Sequence, residues 1–310
     1  MRADLLHTVA VVANPIRYAS RDRLYREFEE HMLDSGVKLT TVLCEYGDRP
    51  YALDTSPHVN YVRVRAKTLV WNKENLMNIG VSRLPQDWRY LLTADADVEW
   101  RKPGWASETV HALQHYEVVQ PWSDCYDLGP NDDHVAAHRS FCALWGSRAP
   151  IVQGPNAKAG PYQFGHPGYA WAWTRSAFEL LGGMLETAAL GAADHHMAMA
   201  LIGRALDSIH AGCTRAYKDH VLQWEERAVR HICGRIGHVP GTIEHKWHGS
   251  KERRAYVERW KILVDHKFDP LTDLKKNSYG VVELAGNKPA MARDIDVYFR
   301  QRDEDSNTLN

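Results

Sequence analysis

Cysteine is scarce and unpatterned in this chain. The five present, Cys44, Cys125, Cys142, Cys213 and Cys233, are an odd number with no C-x-x-C spacing and no zinc-finger pattern. That excludes a disulfide framework or a structural zinc site as the organising device, and it fits a reducing cytoplasm. Long hydrophobic runs are missing too: nowhere do about eighteen apolar residues follow one another, so no membrane span and no membrane partner is expected. The apolar stretch near the start is too short for a signal peptide and lacks a small-residue cleavage site, so it reads as a first strand. Charge of one sign is not in excess. The formal net charge is -1 with 17 His uncounted, and any basic surface for nucleic acid has to be local. Internal repeats and low-complexity segments are absent.

What is present describes a soluble globular protein. At 310 residues, with 44% hydrophobic and 25% charged, the chain can bury the core of one large α/β domain or two small ones. Strands are expected at 7–13, 37–44, 59–64, 90–92, 117–121, 169–173 and 243–247. Helices are expected at 20–32, 73–82, 105–115, 176–181, 195–205, 251–264 and 290–302. Their alternation predicts an α/β fold with a mixed, mostly parallel central sheet flanked by helices and a C-terminal helical extension. Residues 123–166 show no periodicity and read as long loops over the sheet end, 270–280 as turn-rich, and 303–310 as a frayed end.

The most informative stretch is 89–100, RYLLTADADVEW. A buried strand runs out there into Asp95 and Asp97, which project to the same side and lie where open α/β sheets place their ligands. Two accounts fit the pair: a divalent cation site, or an ordinary Asp-rich turn.

Three further stretches accompany it: KENLMNIG at 73–80, the segment from HPGYAWAW to DHHMAMALIG at 166–203, and IEHKWHGSKERRAYVERW at 243–260. Their order resembles that of nucleotide-sugar glycosyltransferases of the GT-A fold, the family-2-like group, over roughly residues 7 to 265. The phrases WNKENLMNIGVSRLP and HKWHGSKERRAY, with the tail YFRQRDED, resemble glycosyltransferases of tailed bacteriophages. Some of those, the TET-associated glycosyltransferases, act on hydroxymethylated cytosine in DNA. The resemblance implies a catalytic domain over 1–265, with a nucleotide-binding half at 1–122, an acceptor and metal half at 123–265, and an extension at 266–310. It also implies an enzyme working in the cytoplasm of a phage-infected bacterium.

A site follows residue by residue. A nucleoside diphosphate donor, a UDP-sugar foremost, needs its leaving diphosphate stabilised, and Mn²⁺ or Mg²⁺ does this efficiently. Asp97 is the candidate ligand and Asp95 a candidate for the metal, its water or the ribose. The late His of the family falls on His248 or His245, with His248 favoured beside the turn at Gly249, and both also read as ordinary strand and turn histidines. Lys251, Arg253 and Arg254 follow on an expected first helical turn, where phosphate is welcome; a solvated face is the other account. Asp194 opens a helix: it is either an N-cap or, as the resemblance implies, the base that takes the acceptor proton. His195 assists or binds acceptor, and His196 reads as structural. Gly182, Gly183, Trp171 and Trp173 resemble the strip beneath the donor sugar, although core packing accounts equally well for at least one Trp. Pro15, Arg17, Tyr18 and Glu45 are placed at the base, and Asn75 and Asn78 at the base or diphosphate.

The expected function is therefore a metal-dependent, inverting glycosyltransferase with hydroxymethylcytosine of DNA as preferred acceptor and a glycan or protein as the second choice. For DNA, Arg215, Lys218, Arg227, Arg230 and Arg235 with the 251–259 group offer cations, interleaved with Tyr217, Trp224 and Trp247. Asp219, Glu225 and Glu226 dilute them, so a charged solvent-facing helix also fits. A sugar nucleotidyltransferase is disfavoured because residues 14–20 hold no glycine for a phosphate loop. A non-catalytic sugar-binding module is the third class.

Overall fold

The computed structural model describes residues 2–151 and 165–308. The chain begins with β1 (Leu6–Ala13), α1 (Ala19–Asp34), β2 (Lys38–Tyr46), β3 (Asn60–Ala66), α2 (Lys73–Val81) and β4 (Tyr90–Ala94). Next come β5 (Val98–Trp100), α3 (Trp105–Ala112), β6 (Val118–Gln120), β7 (Asp124–Leu128), β8 (His134–Ser140) and α4 (Phe141–Gly146). The second half holds β9 (Gly165–His166), β10 (Ala170–Thr174), α5 (Arg175–Leu181), α6 (Ala193–Ala200), α7 (Arg215–His231), β11 (Ile236–His238), β12 (Thr242–His245) and α8 (Arg259–Asp265). It closes with α9 (Pro270–Asp273), β13 (Leu274–Lys276), β14 (Val282–Leu284) and α10 (Pro289–Gln301).

The central sheet runs β11-β6-β10-β4-β1-β2-β3. Only β10 is antiparallel to its neighbours, so the expected mixed, mostly parallel sheet is present. β1 sits in its middle because Leu6 to Ala10 are apolar enough, apart from His7 and Thr8, to be covered on both faces. On one side α1 lays down Leu24, Tyr25, Phe28 and Met32 at helical spacing, each worth roughly 1.5–3 kcal/mol of burial. On the other, α2 approaches closely enough that a Cβ on Gly80 would lie 2.6 Å from Val9 Cγ1, and glycine is what permits that contact.

The stretch 123–166 is not the loop region its composition suggested. Its described part supplies β7, β8, α4 and β9, and with β5 and β12 these build a second sheet ordered β5-β12-β7-β8-β9; residues 152–164 lie outside the described residues. Other elements were not anticipated: β5, β11, the long helix α7, and α9 and β13 in the stretch expected to be turn-rich, with β14 pairing to β13 beyond it. Tyr217, Val221, Trp224 and Ala228 form the buried stripe of α7 among its many charges. The helix expected over 251–264 is broken: a single turn at Glu252–Arg254 ends at Ala255, whose φ is 46°, and α8 starts only at Arg259.

The expected fraying at 303–308 is also corrected. Asp305 accepts hydrogen bonds from the Ala19 and Ser20 amides (2.9 and 2.7 Å) and so caps α1, whose own N-cap Tyr18 supplies none. Trp247 Nε1 donates to the Ser306 carbonyl at 2.8 Å. The tail packs so tightly over Gly249 (φ 83°) that a Cβ there would meet the Asp303 carbonyl oxygen at 2.8 Å. No helix among the described residues is long and apolar enough to cross a membrane.

Candidate active site

Where β4 ends, the chain leaves the first sheet through Asp95–Asp97 and enters the second as β5. That joint forms the floor of a cleft of about 440 Å³, walled by the end of β1, the start of α2, the start of α6, residues 245–260 and the C-terminal tail. β12 pairs with β5 so that His245 faces Val98, and with β7 so that His245 also faces Asp127. Register therefore sets His245 between Val98 and Asp127, with Asp97 one residue before Val98 and its carbonyl bonded to the Lys246 amide at 2.9 Å.

Asp97, His245 and His248 are all buried, and each presents one ligand atom within 4.8 Å of the others. His248 Nε2 lies 3.1 Å from Asp97 Oδ2 and 3.1 Å from His245 Nε2. Asp97 Oδ1 is buried without a hydrogen-bond partner, an arrangement that is costly unless something else satisfies it. One carboxylate and two imidazoles fit a divalent cation of the Mn²⁺ type, with Mg²⁺ less suited to the nitrogen donors. Burial, with Arg21 and Arg254 nearby, holds the His248 imidazole well below its ordinary value. Burial would raise Asp97, but His245, His248 and Arg21 outweigh it and hold the carboxyl well below the usual range. Both are in the state a metal ligand requires. Asp95 lines the same cleft, with Oδ1 2.6 Å from the Lys73 ammonium.

Arg254 is 6% exposed, donates toward His248 Nε2 at 3.1 Å, and leaves its own Nε without a partner. A buried guanidinium that lines a cleft and has an unused N–H is suited to an anion. Lys251 lines the same cleft, and its ammonium pairs with Asp127 and lies 3.1 Å from His138 Nε2. Arg253 pairs with Asp303 at 2.6 Å in an exposed position.

Asp194 lines the cleft in the first turn of α6, and its Oδ1 accepts the His195 amide at 2.8 Å. The residue at the N-cap position is Ala192, in the left-handed region, so Asp194 stands at the second helical position, where it satisfies a first-turn amide. Burial pushes the neighbouring His195 imidazole down to about 4, which leaves it neutral at pH 7. His196 is fully buried between Ser208 Oγ (2.7 Å) and the Tyr217 hydroxyl (2.9 Å), in line with a structural role.

Glu74, which the sequence did not single out, lines the cleft beside Lys73 and Asp194. Burial pushes its carboxyl up to about 7 against the pull of the Lys73 ammonium. The ordinary value is 4.5, so Glu74 contributes fully to stability below that pH and the contribution is lost as pH rises through about 7. In Glu74→Gln the stability gap between variant and wild type should shift in the variant's favour by roughly 3 kcal/mol between pH 4 and pH 8. Urea midpoints of the metal-free proteins measure this, and a gap independent of pH would contradict it.

The tail contributes a residue that sequence reading missed. Glu304 is buried, pairs with Arg21 and with Arg302 (2.6 Å), and lies 3.9 Å from His248 Nδ1. Burial opposes its ionisation, but the two guanidinium groups hold its carboxyl well below the usual range. Arg21 in turn reaches Asp97 Oδ2 at 2.9 Å. Asn72 is a second missed residue, since it lines the cleft with its amide Nδ2 buried and unpartnered.

Of the residues proposed for the donor, Pro15 and Tyr18 line the cleft. Arg17 and Glu45 pair with each other at 2.7 Å in a separate small depression beyond β1. Trp171 and Trp173 do not reach the cleft. Their indoles lie in the core, and Trp173 Nε1 donates to Thr93 Oγ1 at 3.1 Å. Gly182 and Gly183 form the turn after α5 and dock on α7, where Trp224 Nε1 donates to the Gly183 carbonyl at 2.9 Å. Asn78 braces that turn through Met184 and Glu186, and Asn75 bonds the Gly280 carbonyl and the Val282 amide. On α7, Arg215 and Arg230 pair with Asp219 and Glu226 of the same helix, and Tyr217 and Trp224 are core residues. The solvent-facing account fits that helix.

Compared with known proteins, the sequence matches no family model and no curated protein. Solved structures do match. A mutant of Drosophila β-1,4-galactosyltransferase 7, in complex with manganese, UDP-Gal and xylobiose, is 13% identical over 93% of this chain and 98% of that one, with a TM-score of 0.42. The 4-diphosphocytidyl-2C-methyl-D-erythritol synthase of Anaerococcus prevotii is 10% identical over 77% and 88%, with a TM-score of 0.38. S. aureus TarS in complex with UDP-GlcNAc is 9% identical over 79% and 59%, with a TM-score of 0.39. These likenesses are too distant to assign an activity.

Proposed function

We propose that this chain is a metal-dependent, inverting glycosyltransferase that moves a sugar from a nucleoside diphosphate donor, a UDP-sugar foremost, to a hydroxyl. The observation that carries the reading is the convergence of Asp97, His245 and His248, with the unpaired Nε of Arg254, in a cleft that also holds Asp194.

Asp97, His245 and His248 would hold the cation, which when bound supplies positive charge to the departing diphosphate. Arg254 adds a hydrogen-bonding cation on the same side. Asn72 offers a buried amide N–H to a carbonyl of the donor's base, with Pro15 and Tyr18 as walls. The acceptor oxygen forms its bond to the anomeric carbon while the bond from that carbon to the diphosphate oxygen breaks, and the electron pair stays with the diphosphate. Asp194 takes the hydroxyl proton. Neutral His195 beside it does not compete as a cation for the carboxylate.

The acceptor rests on the sequence resemblance alone: hydroxymethylcytosine in DNA, which has to leave the stack to reach so enclosed a site. Incubation with Mn²⁺, hydroxymethylated DNA and a panel of nucleotide sugars should release nucleoside diphosphate and add a sugar mass to the base. Transfer only to glycan or protein hydroxyls would replace the DNA acceptor, and release of pyrophosphate would replace the reaction. Asp194→Asn should lower turnover by about 10²–10⁴-fold with donor affinity nearly unchanged. Retained turnover would remove Asp194 from the role of base.

A further inference from the structure

The second sheet holds a carboxylate that the proposed chemistry does not use. Asp127, on β7, is 2% exposed, and both its oxygens are engaged. Oδ1 accepts from His245 Nδ1 at 2.9 Å and from the Tyr169 hydroxyl at 2.7 Å. Oδ2 meets His138 Nε2 and the Lys251 ammonium. A carboxylate oxygen accepts, so His245 donates from Nδ1 to Asp127 Oδ1, which leaves Nε2 as its ligating nitrogen. The lone pair then sits on Nε2, the atom that faces His248 Nε2 at 3.1 Å and Asp97 Oδ1 at 3.8 Å. The ring is also confined sideways: Tyr169 lies 5.0 Å from it, centroid to centroid, and is itself stacked on His166 at 4.1 Å.

We infer that Asp127 is the positioning residue of the cation site, fixing the tautomer and direction of His245, with Lys251 balancing its charge and His138 bonded to its other oxygen. The inference rests on the metal site proposed above. It also gives Lys251 a different task from contact with phosphate, because its ammonium is spent on the carboxylate behind the imidazole. A carboxylate behind a ligating histidine orients the ring and raises its basicity, and loss of such a partner typically weakens metal binding about 10–100-fold.

The probe is Mn²⁺ alone, followed by calorimetry without any donor. Asp127→Asn keeps the shape but turns an amide N–H₂ toward Lys251 or His138 and removes the charge that fixes His245. Its Mn²⁺ affinity should fall about 10–100-fold. Equal affinity in wild type and Asp127→Asn overturns this inference and leaves the metal reading standing. Absence of Mn²⁺ binding in wild type overturns both. Should the variant not fold, the wild-type protein decides: long-range ¹H–¹⁵N spectra of the metal-free form, with the His245 signals identified by their loss in His245→Gln, should show the Nδ1–H tautomer. A proton on Nε2 overturns the inference without any variant of Asp127.

Discussion

Asp97→Ala is expected to abolish Mn²⁺ binding and to lower sugar transfer by at least about a thousandfold, the equivalent of roughly 4 kcal/mol of lost stabilisation of the leaving group. Three protein ligands become two, and the two that remain are neutral imidazoles with no anion to balance a dication. Arg21 keeps its second partner Glu304, so the fold is not asked to bury a bare guanidinium. Calorimetry with Mn²⁺ and an assay of nucleoside diphosphate release, run on the same preparations, separate the two readouts. Turnover that survives in Asp97→Ala, or is indifferent to chelator in wild type, would falsify metal-dependent transfer at this site.

Glu304→Ala should destabilise the protein by about 3–5 kcal/mol, the usual cost of removing one partner from a buried charge cluster. Arg302 is 4% exposed and would keep the Tyr298 hydroxyl at 3.1 Å and the Trp71 and Tyr298 rings at 5.0 and 5.9 Å, none of them a charge. Arg21 would be left to Asp97 alone, drawing that carboxylate away from any cation, so weaker Mn²⁺ binding should accompany the lower urea midpoint. Glu304→Gln retains hydrogen bonding and should lose less of both. An unchanged midpoint in Glu304→Ala would mean that the tail lies over the site without supporting it.

Local pattern made the first of these residues legible and hid the second. Asp95 and Asp97 follow an apolar run, so the sequence alone marks a strand end carrying two acids. The late histidine narrows to the two of HKWHG, with His248 favoured, and both lie beside Asp97. Glu304 stands in an acidic, polar tail that looks like a fraying end, and its partner Arg21 is 283 positions away. Asp127 was lost for a related reason. Its strand, DCYDL, lacks clean alternation because a buried acid occupies an inward position, and the ring that explains it lies 118 residues downstream. The opposite error befell Trp171 and Trp173. Aromatics two apart on a strand share a face, but nothing in the sequence says whether that face meets a sugar or α5, and here Phe178 of α5 packs edge-on to Trp173 at 6.2 Å. Helix α7 was legible in principle, since Tyr217, Val221, Trp224 and Ala228 keep helical spacing, but the surrounding charges masked it.

β12 is bonded on both edges, to β5 and to β7. Sliding it by one position would turn His245 to the far face and would require two ladders to break together. Of the three candidate ligands, His245 is thus fixed by two ladders, whereas Asp97 just precedes β5 and His248 follows β12 in the connecting segment. Under the proposed reading, segments bordering the mouth of the cleft can change length or composition to suit a new acceptor while His245 keeps its place between two strands.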